Sequence, residues 1–317
     1  MRVVGLKVGW LVAALLAAPG PVPADPAEAA APTPEIAFPA LEHLEDERLL
    51  GIWREGVELE VREELLAATA CYEDIARELP RSPFIHWRIA RNYWRVGERL
   101  PWEDKAGRMY YFELAEGWAD GGLALDERCG ECVLWKLAAR GRQASTGGRA
   151  RAARLASEIA ELIDRGIALQ PSHRDHAANA TLGNLYYAGS AFYRILPDWW
   201  WLKLVIGVRG DKRRALDYIH RALEISDSRI DYWVELGAVQ LCIGHSRGKP
   251  KRIEEGRVAL RRALELEHFQ STDRYDVEHA RILLRTPERA CGYARDGWIE
   301  LDDPRERVAE PAAPEVG

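Results

Sequence analysis

The sequence predicts an all-α protein, an α-solenoid of about five helical pairs that ends in a capping helix. The prediction begins with residues 211–244, DKRRALDYIHRALEISDSRIDYWVELGAVQLCIG. Apolar residues recur in this stretch at helical spacing, the turn Ser226–Ser228 interrupts them, and a second helical pattern follows at once. Small side chains at Ala215, Ala222 and Gly237 would allow the two helices to pack closely. These observations indicate a scaffold rather than a catalyst.

The composition supports one elongated domain with a sizeable core, because 47% of the 317 residues are hydrophobic. The formal net charge is −6, and the basic residues are scattered among acidic ones along the predicted helices. This distribution argues against nucleic acid as a partner. After the amino-terminal segment, no apolar stretch approaches the ~20 residues that cross a bilayer, so we expect no stable membrane span.

The first 24 residues have the pattern of a secretory signal peptide. Arg2 and Lys7 flank the apolar run Val8–Ala18, and the small-residue site Val22–Ala24 follows a Pro-Gly-Pro turn. The run is shorter than the ~20 residues of a membrane span, which makes an uncleaved anchor the weaker interpretation. No cysteine follows the run, so a lipid anchor is not expected.

The remaining boundaries follow from composition. Residues 25–40 are rich in proline and alanine and are predicted to be a linker. The helical domain is predicted over residues 41–300, and the polar tail 301–317 is predicted to be disordered. We therefore expect an exported protein, periplasmic or secreted, that is soluble once the signal peptide 1–24 has been cleaved.

The amino-terminal third of the sequence predicts the first two helical pairs. Periodicity is clear over Leu59–Leu79, which is predicted to be the second helix of the first pair, and Pro80 ends it. Ser82 is the predicted N-cap of the next helix, SPFIHWRIARNYWRVG. Its partner is predicted over Tyr110–Leu125, after a link, ERLPWEDKAGRM, that is longer than a standard repeat allows.

Three further pairs follow. The third joins CGECVLWKLAARGR to SEIAELIDRGIALQPS. The fourth joins a helix with Leu182, Gly183 and Tyr186, the spacing L-G-x2-Y, to the helix that ends at RALEI. The fifth runs from the helix with Gly237 across the loop GHSRGKPKR, and a helix over Tyr275–Leu284 is predicted to cap the stack.

An insert, Pro197–Gly207, separates the two helices of the fourth pair and contains three consecutive tryptophans. We expect it either to pack as a short extra helix or to expose an apolar edge to a partner or a membrane surface. Packing is the favoured prediction, because exposed aromatic patches are uncommon on soluble proteins.

The fifth pair carries the pattern of a known repeat. Trp233, Leu236 and Gly237 match W-x2-L-G-x2-Y, with Gln240 in place of the tyrosine, and the third pair ends in IALQP. This stretch resembles a tetratricopeptide repeat, and the resemblance extends from Glu58 to about Leu266. The resemblance implies stacked helical hairpins that bind partners on a concave face.

The whole chain also resembles two groups of such proteins. HWRIARNYW, LGNLYYAGSAFYRILPDWW and RGDKRRALDYIHRAL are similar to the repeat proteins related to regulators of microtubule dynamics. They are similar as well to the exported repeat partners, or T-components, of tripartite ATP-independent periplasmic transporters. Both groups are non-catalytic, and the signal peptide favours the exported one.

The cysteines leave two alternatives open. Of Cys71, Cys129, Cys132, Cys242 and Cys291, only Cys129 and Cys132 are close in sequence. They form either a local disulfide or two inert thiols, or they give the protein a thioredoxin-like redox role at a helix N-terminus. The absence of a βαβ pattern around CGEC favours the structural alternative.

No catalytic motif is present. The sequence lacks G-x-S-x-G, HExxH, a phosphate loop, a dinucleotide fingerprint and an EF-hand. His173 and His176 are three residues apart but have no third ligand in view, so a solvated helix start is the better interpretation. We therefore predict no catalytic residues, no metal site and no cofactor.

The predicted function is that of an exported, non-catalytic scaffold that binds a protein or peptide partner, or a small ligand, in a concave groove. The alternative is a thiol-redox or other enzyme accessory that uses CGEC. The residues predicted to line the groove are Trp87, Arg91, Trp94, Arg95, Trp135, Arg142, Asn184, Tyr187, Asp231 and Val234. Such a groove suits an extended peptide or an anion with an apolar body. A second possibility is that the long second link folds into the groove and buries Trp87 and Trp94 as core.

Overall fold

The computed structural model describes residues 46–175, 179–268 and 273–295. Within these ranges the regular structure is helical, apart from one isolated bridge between Arg174 and Ala180. The prediction of an all-α fold is confirmed. The predicted signal peptide, the linker and the tail lie outside the described residues.

The helices follow one another with short connections. In chain order they are α1 (Glu47–Val61), α2 (Leu65–Glu78), α3 (Pro83–Arg99), α4 (Lys105–Leu125), α5 (Gly130–Thr146), α6 (Arg149–Leu169), α7 (Thr181–Ile195), α8 (Leu202–Ile206), α9 (Lys212–Ile225), α10 (Ile230–Arg247), α11 (Pro250–Glu265) and α12 (Asp273–Arg285), and a 3₁₀ helix, Pro287–Gly292, comes last.

Short polar residues begin several of these helices. Ser82 accepts a hydrogen bond from the backbone N–H of Ile85, and Pro83 occupies the first turn, as predicted. Asp104 caps α4 and Asp211 caps α9 in the same way. Each of these side chains satisfies backbone N–H groups that have no partner inside the helix.

Two predicted boundaries in the amino-terminal third are wrong. Residues 59–79 do not form one helix, because the chain breaks between α1 and α2 and Glu63 adopts a left-handed conformation with φ of 64°. The second link is short, since α3 continues to Arg99 and α4 begins at Lys105. Pro101 disfavours helix at the residue before it, and Asp104 caps the helix after it.

The helices pack in consecutive pairs. α1 packs on α2, α3 on α4, α5 on α6, α7 on α9 and α10 on α11. The first members of successive pairs also contact one another, so that α3 contacts α5, α5 contacts α7, α7 contacts α10 and α10 contacts α12. We call these first members the inner helices.

Gly237 allows α10 and α11 to pack as closely as the sequence predicts. A Cβ atom placed there would lie 2.5 Å from Cγ of Leu260 and 3.1 Å from the carbonyl oxygen of Gly256. A carbon–carbon distance of 2.5 Å is too short for a real side-chain contact, so any larger residue at position 237 must push the two helices apart.

The insert between α7 and α9 contains the short helix α8, which lies against α6. Leu202 is buried and Ile206 is partly buried against the main core. The insert therefore packs as a short extra helix, as the favoured prediction expects, but Trp199, Trp200 and Trp201 remain exposed, so the expected shielding of the tryptophans is wrong. Because α8 has only five residues, Leu202 and Ile206 occupy the side that faces the core, and the remaining residues face solvent.

The chain after α12 closes the molecule over the inner helices. Residues 287–295 pack against α10, α12 and α7, and Cys291 forms a disulfide with Cys242 of α10. The helix predicted over Tyr275–Leu284 is present as α12, whereas no local pattern predicts this second closing segment. No helix in the described ranges is long and apolar enough to cross a membrane.

Candidate binding site on the inner helices

The ten residues predicted to line a groove do not line an open one. Arg91, Arg95, Trp135 and Asn184 keep partial exposure. The other six are at most 3% exposed, and they are Trp87, Trp94, Arg142, Tyr187, Asp231 and Val234. The prediction that these six face solvent is wrong, because other segments of the same chain pack against them.

The two tryptophans of α3 are part of the core. Trp87 contacts His173, with ring centroids 5.0 Å apart, and it clusters with the disulfide-bonded Cys129 and Cys132. Trp94 lies 5.6 Å from Trp135, ring to ring. They are therefore buried, as in the second possibility raised by the sequence. On Trp87, however, the covering residue comes from the loop before α7 and not from the second link.

A cluster of arginines on α3 surrounds the buried carboxylate of Glu60, which lies at the end of α1. Arg88, Arg91 and Arg95 share one face of α3 because they are three and four residues apart. Arg88 donates to Glu60 at 2.9 Å and Arg95 at 3.3 Å, and Arg91 also bonds to it. The hydroxyl of Tyr72 donates to the same carboxylate at 3.0 Å.

This cluster extends to the surface through Arg95 and Arg99. Arg95 donates to both carboxylate oxygens of Glu63 at 2.9 Å, and Arg99 donates to the Glu63 carbonyl at 2.7 Å. The side chains of Arg95 and Arg99 are 18% and 20% exposed. We call Arg88, Arg91, Arg95 and Arg99, together with Glu60, Glu63 and Asp175, the α3 arginine cluster.

The positive charge of the α3 arginine cluster exceeds its negative charge, since four arginines face three carboxylates. Burial alone would raise the pKa of Glu60, but Arg88, Arg91 and Arg95 lower it to about 2. Burial lowers the pKa of Arg95 to about 10, and its arginine neighbours add to this effect while Glu60 opposes it. A further anion near Arg95 would therefore be stabilised.

A chain of hydrogen bonds links the cluster to α7 and α10. Arg91 donates to Asp175 at 2.8 Å, and Asn179 donates to Asp175 at 3.2 Å. Asn184 then donates to Asn179 at 2.8 Å, and Tyr232 donates to Asn184 at 2.9 Å. The loop before α7 thus holds three inner helices together by polar contacts.

Asp175 was missed by the sequence interpretation. The sequence predicts a solvated helix start for the loop PSHRDHAANA. In the structure, Asp175 of this loop instead contacts Arg91 of α3, which is 84 positions earlier in the chain. Burial would raise the pKa of Asp175, yet Arg91, His173 and Arg88 hold it well below its usual range. His176 lies outside the described residues.

Two buried ion pairs, Arg194–Glu235 and Arg295–Asp276, lie nearer the carboxyl end. Arg194 of α7 donates to the two oxygens of Glu235 at 2.8 and 2.9 Å. The same guanidinium donates to the carbonyls of Ala290 and Tyr293 at 2.9 and 2.8 Å. Arg295 donates to Asp276 at 2.6 Å from Nε.

Of the alternatives that the sequence leaves open for CGEC, the structure has the local disulfide. Cys129 and Cys132 are bonded at the start of α5, and both are buried. Cys129 is the N-cap, and its sulfur accepts a hydrogen bond from the backbone N–H of Cys132 at 3.1 Å. The second disulfide, Cys242–Cys291, was not predicted because its cysteines lie 49 residues apart, and Cys71 is the free cysteine.

Among residues 46–175, 179–268 and 273–295, no group of three or more His, Cys, Asp or Glu side chains is placed to hold a metal ion. No protein-family model and no curated protein sequence matches the chain. The resemblance to tetratricopeptide-repeat proteins therefore stays a prediction that rests on the sequence pattern.

Proposed function

We propose that this chain is an exported, non-catalytic scaffold of the tetratricopeptide-like solenoid type. The order of contacts among the inner helices supports this, because from α3 to α10 the first helix of each pair packs against the first helix of the next. Its proposed partner is a protein, a peptide or a small ligand that carries a carboxylate. The proposed binding position is the accessible edge of the α3 arginine cluster.

One observation carries this proposal, namely the excess of arginine over carboxylate at Arg95 and Arg99. Both side chains are partly exposed, and they share the carboxylate of Glu63. An incoming carboxylate can accept paired hydrogen bonds from a guanidinium, which is the strongest and most directional contact that arginine makes. Binding there needs no opening of the buried interior.

The redox alternative is disfavoured by the position of CGEC. A redox cysteine needs an accessible sulfur, but Cys129 and Cys132 are buried under Trp87 and Phe84. We expect thiol titration of the folded, non-reduced protein to detect Cys71 alone. Reactivity of Cys132 after mild reduction, with the protein still folded, would revive the redox alternative.

The binding proposal is tested by calorimetric titration with two probes of equal size, octanoate and octanamide, and with a tetraglutamate peptide. The full chain is compared with the double variant Arg95→Gln, Arg99→Gln. We expect octanoate or the acidic peptide to bind, the neutral amide not to bind, and the double variant to lose at least tenfold in affinity. The matched control changes two exposed arginines of other helices, Arg54→Gln and Arg221→Gln.

Unchanged binding in the Arg95, Arg99 variant, with a lower melting temperature, would mean that the two arginines are purely structural. A photo-crosslinking residue at position 95, compared with one at position 54, identifies the natural partner in the cell envelope.

A further inference from the structure

The insert between α7 and α9 presents an apolar surface that the core does not use. Trp200 is 71% exposed, Leu204 77% and Val205 70%, and Trp199 and Trp201 are each more than a third exposed. The rings of Trp199 and Trp201 stack, with centroids 5.3 Å apart. We call these five residues the tryptophan patch.

The distribution of apolar residues on α8 is the opposite of that on a typical surface helix. A surface helix normally buries its apolar stripe and keeps polar residues outside. Here Leu202 and Ile206 already fill the inward side, yet Trp201, Leu204 and Val205 occupy the outward side. Only Lys203 is polar in this helix. An apolar outward side of this kind indicates that something covers it.

The size of the tryptophan patch argues against a stable protein interface. Its five side chains expose on the order of 500 Å², if tryptophan contributes about 150–250 Å² when fully exposed. A stable protein complex buries about 800 Å² on each partner. A lipid surface needs neither this area nor a matching shape, because apolar side chains enter it one by one.

The charges and the residue types fit a lipid surface. Residues 199–209 contain the exposed basic residues Lys203 and Arg209 and no acidic residue, while Asp198 and Asp211 flank this segment. Neither forms an ion pair within the part of the chain that the structure describes. Tryptophan is favoured at the boundary between acyl chains and headgroups, and basic residues beside it are attracted to anionic lipid.

We propose that the tryptophan patch seats the folded protein on the surface of an anionic lipid bilayer, with Trp200 and Leu204 entering the headgroup boundary. This contact lies in the plane of the membrane interface and does not cross the bilayer. It is separate from the partner site on α3, and neither proposal depends on the other.

The experiment follows residues of the tryptophan patch directly, because the apolar run Val8–Ala18 of the same chain can also bind vesicles. The full chain is mixed with vesicles of phosphatidylcholine alone or of phosphatidylcholine and phosphatidylglycerol in equal parts. Amide hydrogen exchange is then followed in the peptide covering residues 199–206. We expect the anionic vesicles to slow this exchange at least tenfold, with a smaller effect from the neutral vesicles.

Two pairs of variants sharpen the result. Trp200→Ser with Leu204→Ser should abolish the protection, whereas Leu66→Ser with Val258→Ser, which changes exposed apolar residues elsewhere, should not. Lys203→Glu with Arg209→Glu should remove the preference for anionic vesicles. Arg54→Glu with Lys251→Glu changes the net charge equally and should retain that preference.

Unchanged exchange of residues 199–206 on vesicle-bound protein would overturn the proposal. It would also be overturned if the same peptide were protected without vesicles at high protein concentration, with a matching rise in mass by light scattering. That outcome would assign the tryptophan patch to a second copy of the chain.

Discussion

The two halves of the molecule hold their buried arginines in different ways. In the amino half, Arg88, Arg91 and Arg95 share the carboxylate of Glu60. In the carboxyl half, Arg194 faces Glu235 alone and also has two backbone carbonyls as acceptors. A one-to-one pair in which all three guanidinium nitrogens already donate leaves little for a ligand, whereas a shared carboxylate leaves donors in excess.

The same contrast separates the buried ion pairs of the carboxyl half from the proposed binding site in the amino half. The carboxyl-half pairs are sealed by residues 287–295, and the Cys242–Cys291 disulfide holds that segment in place. Among the described residues, the loop with Asp175 lies against the Arg91 side of the α3 arginine cluster, whereas Arg95 and Arg99 reach the surface. Buried charge in the first half therefore extends toward solvent, while in the second half it only stabilises the interior.

The largest effect that tests this contrast is expected from Arg194→Ala. The change leaves Glu235 buried without its guanidinium, and we expect a loss of about 3–5 kcal/mol in unfolding free energy. Arg95→Ala leaves Glu60 with two arginines and Tyr72, so it should cost about 1 kcal/mol or less. Urea unfolding measures both. Equal losses would mean that the two halves do not differ.

The disulfide of the carboxyl half should contribute more to stability than that of the amino half. Opening Cys242–Cys291, which lie 49 residues apart, by two Cys→Ser changes should cost about 4 kcal/mol in the loop-entropy model. Opening Cys129–Cys132, which are three residues apart, should cost about 2 kcal/mol. Denaturant unfolding of the two double variants compares them directly. A larger loss for the short loop would contradict a mainly entropic role.

The amino half should also lose stability in acid. The native pKa of Glu60 is about 2, below its ordinary value of ~4.3, so its contribution is complete above pH ~4.5 and is lost as the pH falls toward ~2. The loss should reach roughly 3 kcal/mol. Glu60→Gln should flatten this part of the stability profile, whereas Glu224→Gln, an exposed control, should not. An unchanged profile for Glu60→Gln would contradict the assignment.

The smallest effect concerns two glycines. Gly237→Ala places a Cβ 2.5 Å from Leu260 and should cost about 1–3 kcal/mol through overpacking. Gly117→Ala meets nothing within 4 Å and should stabilise α4 by about 0.5–1 kcal/mol. Thermal unfolding of the two variants reports the sign of each change. A neutral Gly237→Ala would show that α10 and α11 separate without cost.

Local patterns predicted what depends on neighbours in sequence. The all-α class, the N-cap at Ser82 and the disulfide Cys129–Cys132 all follow from spacings of a few residues. The break at Glu63 was not predicted, because it depends on a left-handed residue that the helical pattern does not mark.

The inner face was predicted less well because its burial depends on distant segments. Periodicity placed Trp87 and Arg91 on one side of a helix, but nothing in that stretch indicates that His173 and Asp175 will cover them. Likewise, the two carbonyl acceptors of Arg194 belong to residues almost one hundred positions later. A pattern shows which face is inward, and long-range contacts decide whether that face stays open.

The closing segment also affects the order in which the protein matures. Residues 287–295 are synthesised after every helix whose interior they cover, so Arg194 lacks its two carbonyl acceptors on a nascent chain. Until Cys291 emerges, Cys242 has no cysteine partner. Translation products that stop before residue 291 therefore carry an unpaired thiol on α10. Such products have two free thiols beside the Cys129–Cys132 disulfide, those of Cys71 and Cys242, where the complete chain has one.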